Sequence, residues 1–412
     1  MRTMIFTVLC GIAACVVAGP TVSNVTMPET FFAKTVPISY ELSGGPAIVT
    51  LDILTNGVSI GADKVVTVSG DVNRKVESGA GKTIVWEAYQ DWPNQKIREP
   101  IVQAKVTAWA LDNPPDVMVV DLISKSNIAF YASFDSLPGG GVTNELYKTD
   151  KLVMRKIPAG GTVFSMGNAT GSGAAKSHFV AFTNDFYIGV YEVTQKQLFN
   201  VSGQRGTSSF AESENADILP CDLLPFGHDT GNSWSIRDYR YSASIYPQGV
   251  GRFGNKSYLG AFCRHSGLAF DLPTGAQWEF ACRAGTSTSY NNGSNDAASM
   301  DGLGWYGGNS GSAPHPVGLK SSNAFGLYDM HGNVWESVID WAYSSAQNPY
   351  TAYDVNPMGP VSEANNLKER RGGCYLTSDA TSCRSVSRLD IYVFNTTTQG
   401  SGFRLWAPAR MW

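Results

Sequence analysis

Val49, Leu51 and Ile53 alternate with Thr50 and Asp52, the two-residue period of a strand with one buried face. Asn56-Gly57 follows at once, and both residues tolerate the positive φ of a tight hairpin, with Val58 and Ile60 continuing beyond it. Further short strands are predicted at Pro37–Leu42, Val65–Val68, Thr83–Trp86 and Ile101–Trp109. Their spacing and Gly-rich turns predict a small all-β sandwich of immunoglobulin or fibronectin type over residues 20–112. No catalytic constellation lies in it, so it reads as a spacer or adhesion module. Asp112-Asn113-Pro114-Pro115 breaks the pattern and marks a boundary, with a second domain over 115–412. There, Val117–Leu122 and Ile128–Ser133 are predicted strands and Leu137–Gly141 a loop.

Helical periods are few, and two are announced by their caps. In Thr194-Gln195-Lys196-Gln197 the Thr hydroxyl can accept from the third helical N–H while the Gln side chain reaches back, which predicts a helix to about Asn200 with Gly203 beyond it. Thr274-Gly275-Ala276-Gln277 repeats the device, placing Trp278, Ala281 and Cys282 on one face and Gly285 at the stop. So few regular elements over some 250 residues imply a domain held by side-chain networks, ions or disulfides rather than by long ladders.

The first residues read as an export signal. Met1-Arg2 supplies a positive start, and Met4 to Gly19 carries no charge. That apolar run is short for a membrane span of roughly 20 residues. Residues 1–18 are therefore read as a signal peptide, with Val16-Val17-Ala18 providing small residues for cleavage after Ala18. A second processing also fits: Ile12-Ala13-Ala14-Cys15 resembles a lipoprotein box that would leave a lipid anchor on Cys15. Either places the body in an exported setting, secreted, periplasmic or on the cell surface.

Composition narrows the function classes. The chain has 412 residues, 43% hydrophobic and 16% charged, with 43 Gly, 18 Tyr and a net charge of −4, which suits a turn-rich fold and gives no electrostatic support to a nucleic-acid partner. Beyond the signal remain Cys221, Cys263, Cys282, Cys374 and Cys383. Five is odd, so at least one stays unpaired or pairs between chains, and spacing does not give the connectivity.

Five ordered segments carry a family resemblance. They are Phe186–Thr194 (FYIGVYEVT), Leu272–Gly285 (LPTGAQWEFACRAG), Asn323–Glu336 (NAFGLYDMHGNVWE), Arg371-Gly372-Gly373, and Gly402–Leu405 (GFRL). Together they resemble the formylglycine-generating, or sulfatase-modifying factor, family across about 158–409. The resemblance implies an irregular α+β fold related to C-type lectins, preceded here by the sandwich. It also implies an activity class, copper-dependent oxidation of a sulfatase cysteine to formylglycine. In those enzymes two cysteines five apart, after the R-G-G turn, hold Cu(I) as thiolates, and soft sulfur suits that ion.

This sequence departs from that pattern. Thr377 takes the first cysteine's slot and Ser382 the second's, with Cys383 one residue late and Cys374 where the family usually has Ser. A hydroxyl cannot replace a thiolate for Cu(I), so bound copper and the oxidase activity are expected to be absent; the alternative is a shifted redox pair, Cys374 with Cys383. No H-x3-H-x-E segment is present among His178, His228, His265, His315 and His331, which argues against the family's non-haem iron branch. The metal that the resemblance does imply is structural Ca2+. Asp329 and Glu336 would supply side-chain oxygens and Gly332 and Val334 backbone carbonyls, hard donors that suit calcium.

Bland roles are expected for the other conspicuous residues. Trp278, Trp305, Trp335 and Trp341 read as core, Arg371, Arg384, Arg388 and Arg404 as ties between loops, His331 as a partner of backbone, and Asp340 as a loop anchor. The functional expectation is an exported, non-catalytic protein that binds an extracellular protein or carbohydrate through loops between Arg371–Gly373 and Gly402–Arg404. Thr377–Asp379, Leu389–Phe394 and Asn395–Gln399 are the groups those loops would present. The alternatives are the shifted-pair oxidase and a scaffold of an exported complex.

Overall fold

The structure is a computed structural model, and it describes residues 19–411 except 32–33, 99, 169–176, 207–209, 211–212, 228–233, 238–252, 254, 343–351, 360–366 and 393–398. The expected signal segment with Cys10 and Cys15, His228, and most of the expected Asn395–Gln399 loop fall outside the described residues. The chain divides into two compact units. One comprises Val58 and the described residues before it with Thr67–Ala110, the other Ser59–Val66 with Leu111 onward.

The first unit is all-β. One sheet runs Thr21–Thr26, Val36–Ser43, Gly79–Trp86, Val68–Gly70, and a second runs Val102–Ala110, Ala47–Thr55, Val58–Ser59, with Lys75–Val76 also on Ala47–Thr55. Strand Val36–Ser43 buries Val36, Ile38, Tyr40 and Leu42 and turns the residues between them outward. Ala47–Thr55 pairs with Val102–Ala110 over nine residues, from Val102 opposite Thr55 to Ala110 opposite Ala47. The Asn56-Gly57 turn forms with positive φ at both residues, 50° and 78°. Its far arm is only Val58–Ser59, however, and the predicted strand Val65–Val68 lies instead at Val68–Gly70, because a 3-10 turn occupies Ala62–Lys64.

The second unit is irregular α+β. Its largest sheet runs Ile128–Tyr131, Val117–Asp121, Lys151–Ile157, Phe186–Gly189, Trp406–Pro408, so the predicted strands after residue 115 join the end of the chain. A second sheet runs Arg388–Tyr392, Leu367–Arg371, Trp335–Trp341, Ser401–Gly402. Three helices matter here. Gln195–Ser202 and Gly275–Arg283 both start with complete capping boxes, on Thr194 and Thr274. Gly203 ends the first in the left-handed region, but Ala284, not Gly285, takes that conformation at the end of the second. The third, Tyr258–Ser266, is capped by Ser257 and Gly267 and was not expected. The main core packs Phe182, Phe186, Ile188, Trp278, Met330, Val338 and Trp406 between sheet and helix.

Candidate functional site

The Trp335–Trp341 strand carries the centre of the second unit, because it pairs with both Leu367–Arg371 and Ser401–Gly402. That pairing brings Glu336 against Arg404, and both side chains are fully buried. Arg404 Nη2 donates to Glu336 Oε1 at 2.7 Å and Nε to Oε2 at 3.0 Å, while Trp278 Nε1 donates to Oε2 at 2.7 Å. The remaining Arg404 donors reach the carbonyls of Gly189, Val190 and Tyr328. Burying a guanidinium is tolerable only with this degree of satisfaction.

Two further carboxylates surround the pair. Glu192 accepts from Val334 N at 3.0 Å and Asn333 Nδ2 at 2.7 Å. Burial, then the charges of Asp329 and Glu336, push its carboxyl well above the usual range. Asp329 sits in the left-handed region at φ 58° and accepts from Gly318 N at 2.7 Å, while its Oδ1 is buried without a hydrogen-bond partner. Burial foremost, with Glu336 adding, raises Asp329 to about 6. Gly332 closes the loop at φ 118°, where a Cβ would run into the Trp305 carbonyl, so glycine is required. Asp329, Gly332 and Val334 thus lie in one buried loop that leads into Glu336 on the Trp335–Trp341 strand. Glu336 is engaged by Arg404 and Trp278, and among the described residues no three His, Cys, Asp or Glu side chains converge as metal ligands. Glu192, which sequence reasoning missed, sits inside the Phe186–Thr194 segment that carries the resemblance.

Arg371 organises a second network. Its guanidinium reaches Glu369 at 2.6 Å, Glu279 at 3.1 Å and the carbonyls of Gly275 and Ser385. Burial opposes ionisation of Glu279, yet Arg283 and Arg371 hold its carboxyl below the usual range. Asp340 Oδ2 accepts from Gly275 N at 2.6 Å at the start of the Gly275–Arg283 helix. Arg388 pairs with Glu369 at 3.1 Å.

Beyond this frame the chain turns at Gly372-Gly373 into the stretch where the family resemblance places its chemistry. A Cβ on Gly373 would strike the Cys383 sulfur, which shows how closely the next turn packs. Thr377 closes that turn. Its Oγ1 accepts from Cys374 N at 3.0 Å and donates toward Cys374 Sγ at 3.5 Å, and its N–H donates to Cys374 O at 2.9 Å. The neighbouring Gly307 N donates to Thr377 O at 2.8 Å, which fixes the turn against Trp305–Gly308. Ala380–Cys383 then forms a 3-10 turn capped by Asp379, whose Oδ1 accepts from Thr381 N.

All five described cysteines are buried unpaired thiols. Burial pushes Cys263 and Cys282 up to about 12 and also raises Cys221, Cys374 and Cys383. A thiol so placed stays protonated and is a poor nucleophile and metal ligand. His331 accepts from Asn291 N at Nε2, so its Nδ1–H donates to Cys383 O at 2.7 Å. Burial lowers His331 to about 4, which keeps the ring neutral.

Trp278, Trp335 and Trp341 are buried. Trp305 differs: it is half-buried, sandwiched by the His315 ring at 3.7 Å and Lys320 Nζ at 3.8 Å. Leu376, at 42%, and Leu389, at 43%, are the exposed large apolar side chains here. Leu389 lies on the Arg388–Tyr392 strand paired with Leu367–Arg371, not in the loop expected over Leu389–Phe394, whose last two residues fall outside the described ones.

Fold and motifs together define the class, and the chain belongs to the family described as the sulfatase-modifying factor enzyme 1-like domain, whose model matches residues 144–408. It is similar to a chaperone protein, LppX, of Paenibacillus barcinonensis, at 27% identity over 43% of this chain and 69% of that protein. It is also similar to the formylglycine-generating enzymes of Mus musculus, 31% identical over 28% of this chain and 32% of the enzyme, and of Mycobacterium tuberculosis, 38% identical over 18% and 28%. The match therefore spans about a third or less of those two enzymes. Among solved structures, Treponema denticola variable protein 1 aligns over 63% of this chain and 95% of that one, at 23% identity and a TM-score of 0.49.

Proposed function

We propose that this chain is an exported, non-catalytic member of its family that binds a protein partner through the exposed loops following Gly373. The observation that carries the reading is Thr377. At the position where the resemblance puts a copper-binding cysteine, a hydroxyl is spent on closing a turn over Cys374. The buried, protonated state of Cys374 and Cys383 supports the same reading and disfavours a shifted redox pair. Exposed Leu376 on the turn and Leu389 on the edge strand Arg388–Tyr392 give this region apolar contact points, which favours protein over carbohydrate. Similarity to a protein named as a chaperone points the same way. Export rests on the positive start at Arg2 followed by the uncharged run Met4–Gly19.

Two measurements test this. Cu(I) titration under reducing conditions, followed by incubation with a cysteine-containing sulfatase peptide and oxygen, should give neither tight copper nor aldehyde. Aldehyde formed in a Cys383-dependent manner sinks the non-catalytic reading. Exported proteins captured on the immobilised chain should be lost with the Leu376→Asp, Leu389→Asp double variant; capture that survives it sinks the loop assignment.

Structural calcium belongs to the same proposal. Arg404 interacts with Glu192, Asp329 and Glu336 and the buried Lys148 with Asp329, and the partnerless Asp329 Oδ1 suits a hard cation. Asp329 with the carbonyls of Gly332 and Val334 would hold the ion beside Glu336, and its contribution is charge neutralisation of the loop. A chelator should then lower the melting temperature of the parent and leave Asp329→Asn unmoved. An unresponsive parent means that Arg404 is sufficient counter-charge.

A further inference from the structure

A cavity of about 360 Å³ opens elsewhere in the second unit, among segments that the loop reading does not use. Its walls come from four places: the turn Phe182–Phe186, Thr274 and Gln277 at the cap of the Gly275–Arg283 helix, the stretch Asn356–Met358, and the segment from Trp406 to Arg410. The volume falls within the range of small-molecule sites, roughly 300–1,000 Å³.

The cavity is pre-formed, because its walls are tied to each other by strand pairing and by backbone and side-chain hydrogen bonds. Phe186 pairs with Pro408 and Ile188 with Trp406 in the main sheet. Asn356 N donates to Ala181 O at 2.9 Å, Thr183 N to Asn356 Oδ1 at 3.1 Å, and Asn356 Nδ2 to Thr183 Oγ1 at 2.9 Å. These bonds fix the Asn356–Met358 wall against the turn that carries the aromatic floor. The floor itself is stacked: Phe182 meets Phe186 edge-on at 6.0 Å, and Phe186 leans on Trp406 at 6.5 Å. Met358 adds a flexible apolar edge at the surface.

Asn184, Asp185, Thr274, Gln277, Asn356 and Arg410 supply the polar lining, and Thr274 and Gln277 already serve the helix capping box. Arg410 is exposed and makes no ion pair among the described residues. Asp185 Oδ1 is anchored by Gly160 N at 2.8 Å. An apolar aromatic floor with the Arg410 guanidinium at its edge is complementary to a flat apolar body bearing one negative charge. Asp185 adds an acceptor for an N–H or O–H and disfavours a second negative charge.

We infer that the cavity framed by Phe182, Phe186, Met358 and Trp406 is a binding site for a small aromatic monocarboxylate, with Arg410 taking the carboxylate. The site would exist whatever the chain binds through Leu376 and Leu389.

Calorimetric titration of the full chain with indole-3-propionate, and with the uncharged indole-3-propionamide, tests the assignment. The acid should bind once per chain and at least tenfold tighter than the amide. Arg410→Gln should bring the two ligands within about twofold of each other and leave amide binding unchanged. Met358→Glu, also at an exposed position, should weaken both. Absence of saturable acid binding overturns the site, and equal affinity of the parent for acid and amide overturns the role of Arg410. Binding unaffected by both variants places the ligand elsewhere and overturns the assignment.

Discussion

The two units of this chain bury their interiors by different means. The first relies on ladders and alternation: Ile38, Val49 and Ile53 are fully buried on strands whose partners run alongside for up to nine residues. The second has short ladders and instead buries charge, with Arg371, Arg404, Glu279 and Glu336 all enclosed. Apolar burial is non-directional and tolerates small losses, whereas a buried ion pair holds only while every partner is present. The unit with the family fold is therefore the more brittle to loss of a single side chain.

Removing Arg404 should show this most strongly. Arg404→Leu leaves Glu336, Glu192 and Asp329 without their guanidinium, and breaking a buried pair costs about 3–5 kcal/mol. Hydrogen-exchange protection of residues 327–336 is the readout. A loss below about 1 kcal/mol would mean that another cation already neutralises the cluster. In the first unit, Ile53→Val removes one methyl group from a fully buried position opposite Ala104, for a cost of about 1 kcal/mol in denaturant unfolding. If the two substitutions cost the same, the contrast between the units is wrong.

What could be read from sequence follows the same division. The sandwich strands and the two capping boxes were legible because alternation, Asn-Gly and Thr-x-x-Gln act within a few residues. The Tyr258–Ser266 helix was not: eight of its nine residues are buried, so no polar face marks the period, and Gly260 stands where a capping box needs Glu or Gln. The parallel pairing of Trp335–Glu336 with Ser401–Gly402 joins residues far apart in the chain, and no local pattern announces it. The candidate site divides in the same way. Family motifs pointed to Asp329, Glu336 and Thr377, but Glu192 and the Arg410 cavity emerge only once distant segments meet.

A smaller effect tests the second charge network through pH. Asp340 is raised to about 6 by burial and by the charge of Glu369, against the opposing Gly275 N–H and the guanidiniums of Arg388 and Arg371. Its folded value lies above its unfolded one, so the native state binds the proton more tightly. That contribution is complete below about pH 4, from the ordinary Asp value, and is lost as pH rises through 6. Asp340→Asn keeps an acceptor for Gly275 and removes the titration. Its melting temperature relative to the parent should therefore climb by a few degrees between pH 5 and pH 8. A constant difference across that range would show that Asp340 is ionised throughout.

The smallest effect on stability is expected where the proposed function is concentrated. Leu376 and Leu389 are both more than two-fifths exposed, so replacing them by Asp removes little buried area. The Cys374–Thr377 turn that carries Leu376 and the Asp379-capped turn that follows it keep their bonds. Substitutions of this kind usually change stability by less than about 0.5 kcal/mol. The double variant should unfold at the parent's denaturant midpoint. If it unfolds measurably earlier, these leucines belong to the core that holds the loop, and their exposure would no longer mark a surface reserved for a partner. An unchanged midpoint separates the loop from the charged frame beneath it, the condition under which the family's scaffold can persist while its chemistry is exchanged for binding.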